Sequence, residues 1–218
     1  MQGDPAISMA PCMSDFLFKR LLPLLVGFVI WGLAVALQVR ANLGLSPWDV
    51  FHQGLGHHLG IGIGWAGVVT SVGVLLLWIP LKMKPHIGTV LNALVIGPSA
   101  EFFLAILDAP ENIVLRWSYM LGGILLMAIG SALYLPARLG TGPRDGVMVG
   151  LNKKFGFSIR LARTIVEVMA LVIGWLLGGT VGLGTLVVAL GLGPTVQAML
   201  QARRWLVERV TGVPQSVL

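Results

Sequence analysis

The sequence predicts an all-α membrane protein: six transmembrane helices arranged as two inverted-topology three-helix repeats, each with an additional short amphipathic or half-helix after its first span. Three observations carry that reading. Apolar residues come in six runs of about 20, the chain repeats itself at a shift of 96 positions, and the basic residues cluster between alternate runs.

The runs are Phe18 to Val39, Ile63 to Leu81, Ile87 to Leu107, Trp117 to Leu135, Leu161 to Leu177 and Val181 to Leu200. At ~1.5 Å per residue each can cross a ~30 Å hydrocarbon layer with little to spare. With 56% hydrophobic residues, 11% charged and a mean hydropathy of +0.87, the chain holds more apolar side chains than a 218-residue globule could hide. Helices are expected, because lipid offers no partner to an unpaired backbone amide.

At the 96-residue shift, 25 of the 85 positions between Arg20 and Leu104 are identical, against roughly a tenth by chance. Ala41, Leu43, Gly44, Pro47, Asp49, Gly54, Leu55 and Gly60 fall on Ala137, Leu139, Gly140, Pro143, Asp145, Gly150, Leu151 and Gly156. Three crossings per copy is an odd number, so the second copy must enter the bilayer upside down, a common construction of transporters. The expected units are a disordered segment at 1–14, repeat one at 15–108, repeat two at 109–203 and a short basic cytoplasmic tail at 204–218.

Orientation follows from the preference of Lys and Arg for cytoplasmic loops. With both termini inside, 13 of the 15 basic residues are cytoplasmic, and only Arg40 and Arg116 lie outside. The formal charge of +6 is thereby a matter of topology, and nucleic acid is not an expected partner. The expected location is a bacterial inner (plasma) membrane, crossed several times. Ala34-Val35-Ala36 forms a signal-peptidase-like site, but the first run is too long for a signal peptide's apolar region. Cys12 is the single cysteine, which excludes an internal disulfide or a multi-Cys metal site.

The most repeated piece is the loop Leu43-Gly44-Leu45-Ser46-Pro47-Trp48-Asp49, which recurs as Leu139-Gly140-Thr141-Gly142-Pro143-Arg144-Asp145. Each opens a helix, with proline at its first position, Ser46 or Gly142 as cap and an acid two residues on. Apolar residues follow at Phe51, Leu55 and Leu59, mirrored by Val147, Leu151 and Phe155, over a helix of ~18 Å, too short to span. Gly44, Pro47, Gly140 and Pro143 are expected chain breaks. The acids either complete a capping box or, pulled toward the bilayer centre, line a polar site at the repeat interface. There the positive helix ends and Arg144 would attract an anion. Trp48 aligns with Arg144, so such a site is unequal in its chemistry.

A second repeated motif, Gly88-Thr89 with Gly97-Pro98-Ser99, returns as Gly184-Thr185 with Gly193-Pro194-Thr195. Proline removes a helical hydrogen bond, so breaks are expected at Gly97-Pro98 and Gly193-Pro194, with Thr89, Asn92 and Thr185 beside a common cavity. The plainer reading is glycine for close packing and hydroxyls bonded within their own helices. Glu101 and Glu167 also lie within spans and are candidate coupling carboxylates, although Arg163 four residues before Glu167 offers a simple ion pair. His52, His57, His58 and His86 read as solvated or interfacial. They form no i, i+4 metal face.

The paired Leu-Gly-x-x-Pro-x-Asp loops, each about 40 residues before a Gly-Thr plus Gly-Pro span, resemble the YczE/YitT group of bacterial integral membrane proteins across residues 18 to 200. The resemblance implies a small duplicated inner-membrane protein of transporter-like character, with no settled site residues to carry over. From the residues themselves, the substrate-binding candidates are Asp49, Asp145, Arg144, Trp48, Ser46, Thr89, Asn92 and Thr185. The expected function is secondary transport of a small polar or anionic solute by alternating access of the two repeats. The alternatives are a substrate-capture subunit of an energised uptake system and a non-transporting scaffold or regulator. No enzyme chemistry, cofactor or metal is expected. The expected partners are the lipid bilayer and an unidentified solute, and the glycine-rich helix faces would permit a homodimer.

Overall fold

The computed structural model describes residues 17–140 and 142–211, and every regular element among them is helical. A π-helical turn, Leu17–Leu21, leads into α1 (Leu22–Ala41). There follow α2 (Pro47–Leu59), α3 (Ile63–Trp78), α4 (Ile87–Ile106) and α5 (Ile113–Tyr134), which ends in a 3-10 turn, Leu135–Ala137. The chain closes with α6 (Pro143–Phe155), α7 (Ile159–Leu176) and α8 (Leu183–Thr211). The expected disordered start at 1–14, Cys12 and the last seven residues lie outside the described residues.

Each predicted apolar run is a helix, and the two short helices stand where the repeated loops put them. Four helices, α1, α4, α5 and α8, are long and apolar enough to cross a membrane. A fifth crossing is reached if α2 and α3, bent by 103° at their junction, count as one broken span. The six-crossing expectation exceeds that number for two reasons. Helix α3 has only 16 residues, and α7 carries Arg160, Arg163 and Glu167 within 18 residues.

The duplication extends to the backbone. Eight described residues have positive φ, and they fall into four pairs separated by 96: Asn42 with Arg138, Gly44 with Gly140, Gly60 with Gly156, and Lys82 with Gly178. Gly44 and Gly140, at φ 111° and 128°, lie where a side chain would be strained, which is why both loops need glycine. The copies are interlocked by equivalent bonds. Gly184 N–H donates to Leu43 O at 2.7 Å, and Gly88 N–H donates to Leu139 O at 2.9 Å. The turn of each copy thus docks on the last helix of the other.

The centre is the α1–α5 pair, where Gly27 and Gly130 meet so closely that a methyl on Gly27 would lie 2.8 Å from the Gly130 carbonyl oxygen. Small residues at a crossing let backbones approach without a large hydrophobic driving force. Trp31, Ala34, Val35 and Met127 fill the contact beside it. Arg116 ties α5 to the end of α1, its Nε donating to Ala41 O at 2.7 Å, where a cation complements the helix C-terminus.

Two expectations are corrected. Helices α4 and α8 run unbroken through Pro98 and Pro194, so Gly97, Pro98, Gly193 and Pro194 are not helix breaks. Neighbouring helices and hydroxyls tolerate such prolines, and Thr195 Oγ1 donates to Gly191 O at 2.7 Å within its own helix. The buried face of α2 is Trp48, Asp49, Val50, Gly54 and Gly56, with Phe51 and Leu55 of the apolar stripe half-buried. In lipid the apolar side can face outward, and Leu59 and Phe155 are exposed. Finally, the expected separate tail helix is the continuation of α8, with Arg209 stacked 4.3 Å over Trp205.

One pair of equivalent contacts differs. Helix α3 packs on α4 through Gly64 and Gly97, where a methyl on Gly64 would lie 2.1 Å from Gly97 O. The equivalent helices, α7 and α8, do not pack together. Their matching residues are Arg160, which is exposed, and Gly193, around which a methyl would meet nothing within 4 Å. One wall of the molecule is sealed and its counterpart is parted.

Candidate functional site

The loop acids of both copies line a single cavity of about 270 Å³ between the two parts of the molecule. Its walls come from α1 (Trp31, Val35), the start of α2 (Ser46 to Asp49, and His52), α3 (Gly64, Gly67, Thr70, Ser71) and α4 (Asn92, Ala93, Gly97). Tyr134 of α5 and Gly142 to Asp145 at the start of α6 complete the polar end. The parted side is lined by Arg163 and Glu167 of α7 and Val188, Ala189, Leu192 and Gly193 of α8.

Asp49 is held as a helix cap should be. Its backbone N–H donates to Ser46 Oγ at 3.3 Å, and the Ser46 hydroxyl donates to Asp49 Oδ2 at 2.5 Å. The other carboxylate oxygen is 3.6 Å from His52 Nδ1. Ser46 thus caps α2, but the Asp49 carboxylate takes the Ser46 hydroxyl and not its backbone N–H, so the expected capping box is half formed, and Asp49 also lines the cavity. Copy two differs. Gly142 has no hydroxyl, and α6 begins with no side-chain cap.

Arg144 leans over Trp31, its guanidinium carbon 5.7 Å from the ring centroid, a cation–π distance. The loop that carries Arg144 is fixed from behind by Trp78, whose Nε1 donates to Pro143 O at 2.9 Å. Glu167 pairs with Arg163 at 2.9 Å, the simple i, i+4 pair, and the pair stands in the cavity wall. Two buried polar atoms in the same wall have no hydrogen-bond partner, Trp48 Nε1 and Thr70 Oγ1. A buried unpaired donor is costly, so such atoms mark where a solute can bond.

Of the predicted binding residues, Asp49, Asp145, Arg144, Trp48, Ser46 and Asn92 meet at the cavity. Thr89 and Thr185 do not. Thr185 Oγ1 accepts from Gly182 N–H at 3.2 Å and packs against Gly44, and Thr89 takes the equivalent place against Gly140. These threonines hold the interlocked turns. Pro47, Pro143, Gly97 and Gly193 line the cavity, whereas Pro98 and Pro194 do not. Glu101 lies outside it, accepting Gly64 N–H at 2.6 Å. That contact pins the start of α3 to α4 and gives the carboxylate the partner a buried anion needs. His52, expected to be solvated or interfacial, is in the wall.

Trp31, Tyr134 and Thr70 were not legible as site residues. Trp31 and Tyr134 align with Met127 and Gln38 at the 96-residue shift, and such substitution of a polar or aromatic residue within a duplicated span is the signal that could have found them.

Residues 18–201 match a family model described as a family of unknown function, DUF6198. An uncharacterized protein of Haemophilus influenzae is 40% identical over 183 residues, covering 84% of each chain. The uncharacterized membrane protein YczE of Bacillus subtilis is 32% identical over 169 residues, 77% of this chain and 79% of its own. The uncharacterized protein YyaS of the same organism is 26% identical over 165 residues, 74% and 82% of the two chains. The resemblance to the YczE group is thus borne out. No solved structure matches the chain.

Proposed function

The chain belongs to the family of unknown function DUF6198, and on that footing we propose that it is a small secondary transporter of a polar or anionic solute, working by alternating access of two inverted repeats. One observation carries the reading: helix-opening loops from both copies, with Asp49, Asp145 and Arg144, converge on one cavity. Half-helices whose positive ends meet at a repeat interface are a recurring transporter site.

In this reading all six long helices cross the bilayer, and both termini are cytoplasmic. Helix α7 crosses because Arg163 and Glu167 neutralise each other and face the cavity. The sealed α3–α4 wall is then the outer gate and the parted α7–α8 wall the inner one, so the described conformation faces the cytoplasm. Exchange of the two packings, each copy adopting the arrangement of the other, moves the cavity's opening across the membrane.

The test is uptake into proteoliposomes with ligand-induced thermal shift of the purified protein. Wild type should move and be stabilised by at least one small anionic or polar solute, and Arg144→Ala should weaken binding by at least about tenfold, ~1.4 kcal/mol. Binding without movement would favour a capture subunit instead, and an unaltered Arg144→Ala variant would remove the cavity from the mechanism.

A further inference from the structure

Resting on the transporter reading, we propose that the solute is a small zwitterion, its ammonium seated on Asp145 in the place where Ser46 serves Asp49, and its oxyanion on Arg144. The duplication supplies the argument. In copy one the cap position is a serine whose hydroxyl both accepts from the Asp49 amide and donates to the Asp49 carboxylate. In copy two the cap position is Gly142, and nothing replaces that hydroxyl.

The glycine is not required by the backbone. Gly142 has φ −58° and ψ 157°, and Ser46 has φ −61° and ψ 155°, so a serine would fit the same conformation. Nor is it required by packing. A methyl on Gly142 would meet Asp145 Oδ2 at 3.3 Å and the Asn92 amide at 3.7 and 3.8 Å, close but not a clash. What the glycine leaves is a small opening bounded by a carboxylate and an amide.

The charges are complementary in the same way. Among the described residues neither Arg144 nor Asp145 has an ion-pair partner within 4 Å. Arg144 and Asp145 are neighbours at the start of α6 and line the same cavity, a cation and an anion not closed into an ion pair. A solute bearing both charges gives Arg144 and Asp145 each a counter-charge without adding net charge to the cavity. Trp48 Nε1, buried and unpartnered in the wall, adds a donor for the oxyanion. At about 270 Å³, near the lower end of the ~300–1,000 Å³ usual for small-molecule pockets, the cavity suits a solute the size of a common amino acid or an aminosulfonate.

The experiment compares wild type with Gly142→Ser and Gly142→Ala, by thermal shift and proteoliposome uptake. The probes are the common amino acids, β-alanine and taurine, with propionate (anion alone), ethanolamine (ammonium alone) and glycolate (hydroxyl with anion). Zwitterions should protect wild type at concentrations at least tenfold below those of the three other probes. Gly142→Ser should fold, be at least as heat-stable as wild type without solute, and lose at least tenfold in zwitterion response. Gly142→Ala tests crowding alone and should lose less than the serine. Gly142→Ser responding as wild type does, or glycolate or propionate matching the zwitterions, would overturn the assignment while leaving the transporter reading intact. Silence of wild type toward every probe in both measurements would overturn both.

Discussion

Asp49 and Glu101 show how differently two acids within the helical bundle can be used. Asp49 takes the hydroxyl of its own cap serine at 2.5 Å, so Ser46→Ala should remove a helix cap and leave a carboxylate short of a partner. A loss of about 1 kcal/mol is expected for the cap, read as a lowered melting temperature in detergent; an unchanged melting temperature would mean that α2 is fixed by its neighbours and not by its cap. Glu101, a candidate for ion coupling by sequence, accepts an amide of α3 and lies away from the cavity. Its task is positional. The acids of the loops were legible because they occur twice in one motif, whereas the contrast of Ser46 with Gly142 hid behind the fact that both residue types are acceptable caps.

At the scale of elements, the reading by hydrophobic runs was sound, since each run of about 20 apolar residues is a helix. It erred where it inferred geometry from single residues. Proline in a soluble helix ends it, but α4 and α8 pass through Pro98 and Pro194 because surrounding helices hold the chain. The glycine contact between α3 and α4 makes a prediction of its own. With Cys12 replaced by serine, a cysteine at Ala189, exposed on α8, should react with maleimide at least about tenfold faster than one at the equivalent Ala93, buried on α4. Adding Gly97→Leu, whose side chain cannot fit against Gly64, should raise the Ala93 rate; equal rates before and after would show that glycine packing does not set the seal.

For the whole molecule, the sequence disclosed the duplication but not which copy is closed. A repeat at 96 positions with 25 matches says that two packings are available, and near-equal sequences cannot say which half adopts which. That choice rests on side chains the alignment treats as noise, Gly64 against Arg160 and Trp78 against Gly174. If the halves exchange roles, cysteines at Arg160 and Gly193 should approach as Gly64 and Gly97 do here, within the Cα separation a disulfide needs, under ~7 Å. Oxidation of the double variant in membranes should cross-link it and stop solute movement, with reduction restoring it. A pair that never cross-links, with or without solute, would argue against exchange of the halves.

Helix α8 is unbroken over 29 residues, about 43 Å at ~1.5 Å each, and thus outreaches the hydrocarbon layer it enters. Its root is clamped, since the turn at Leu43 grips Gly184. A rigid rod fixed at one end behaves as a pointer: tilting it by ~10° to narrow the slot beside α7 would carry Arg209, ~38 Å along the axis, ~6.5 Å sideways. A motion of an ångström or two deep in the lipid would thereby be displayed, magnified, to whatever lies in the water beyond.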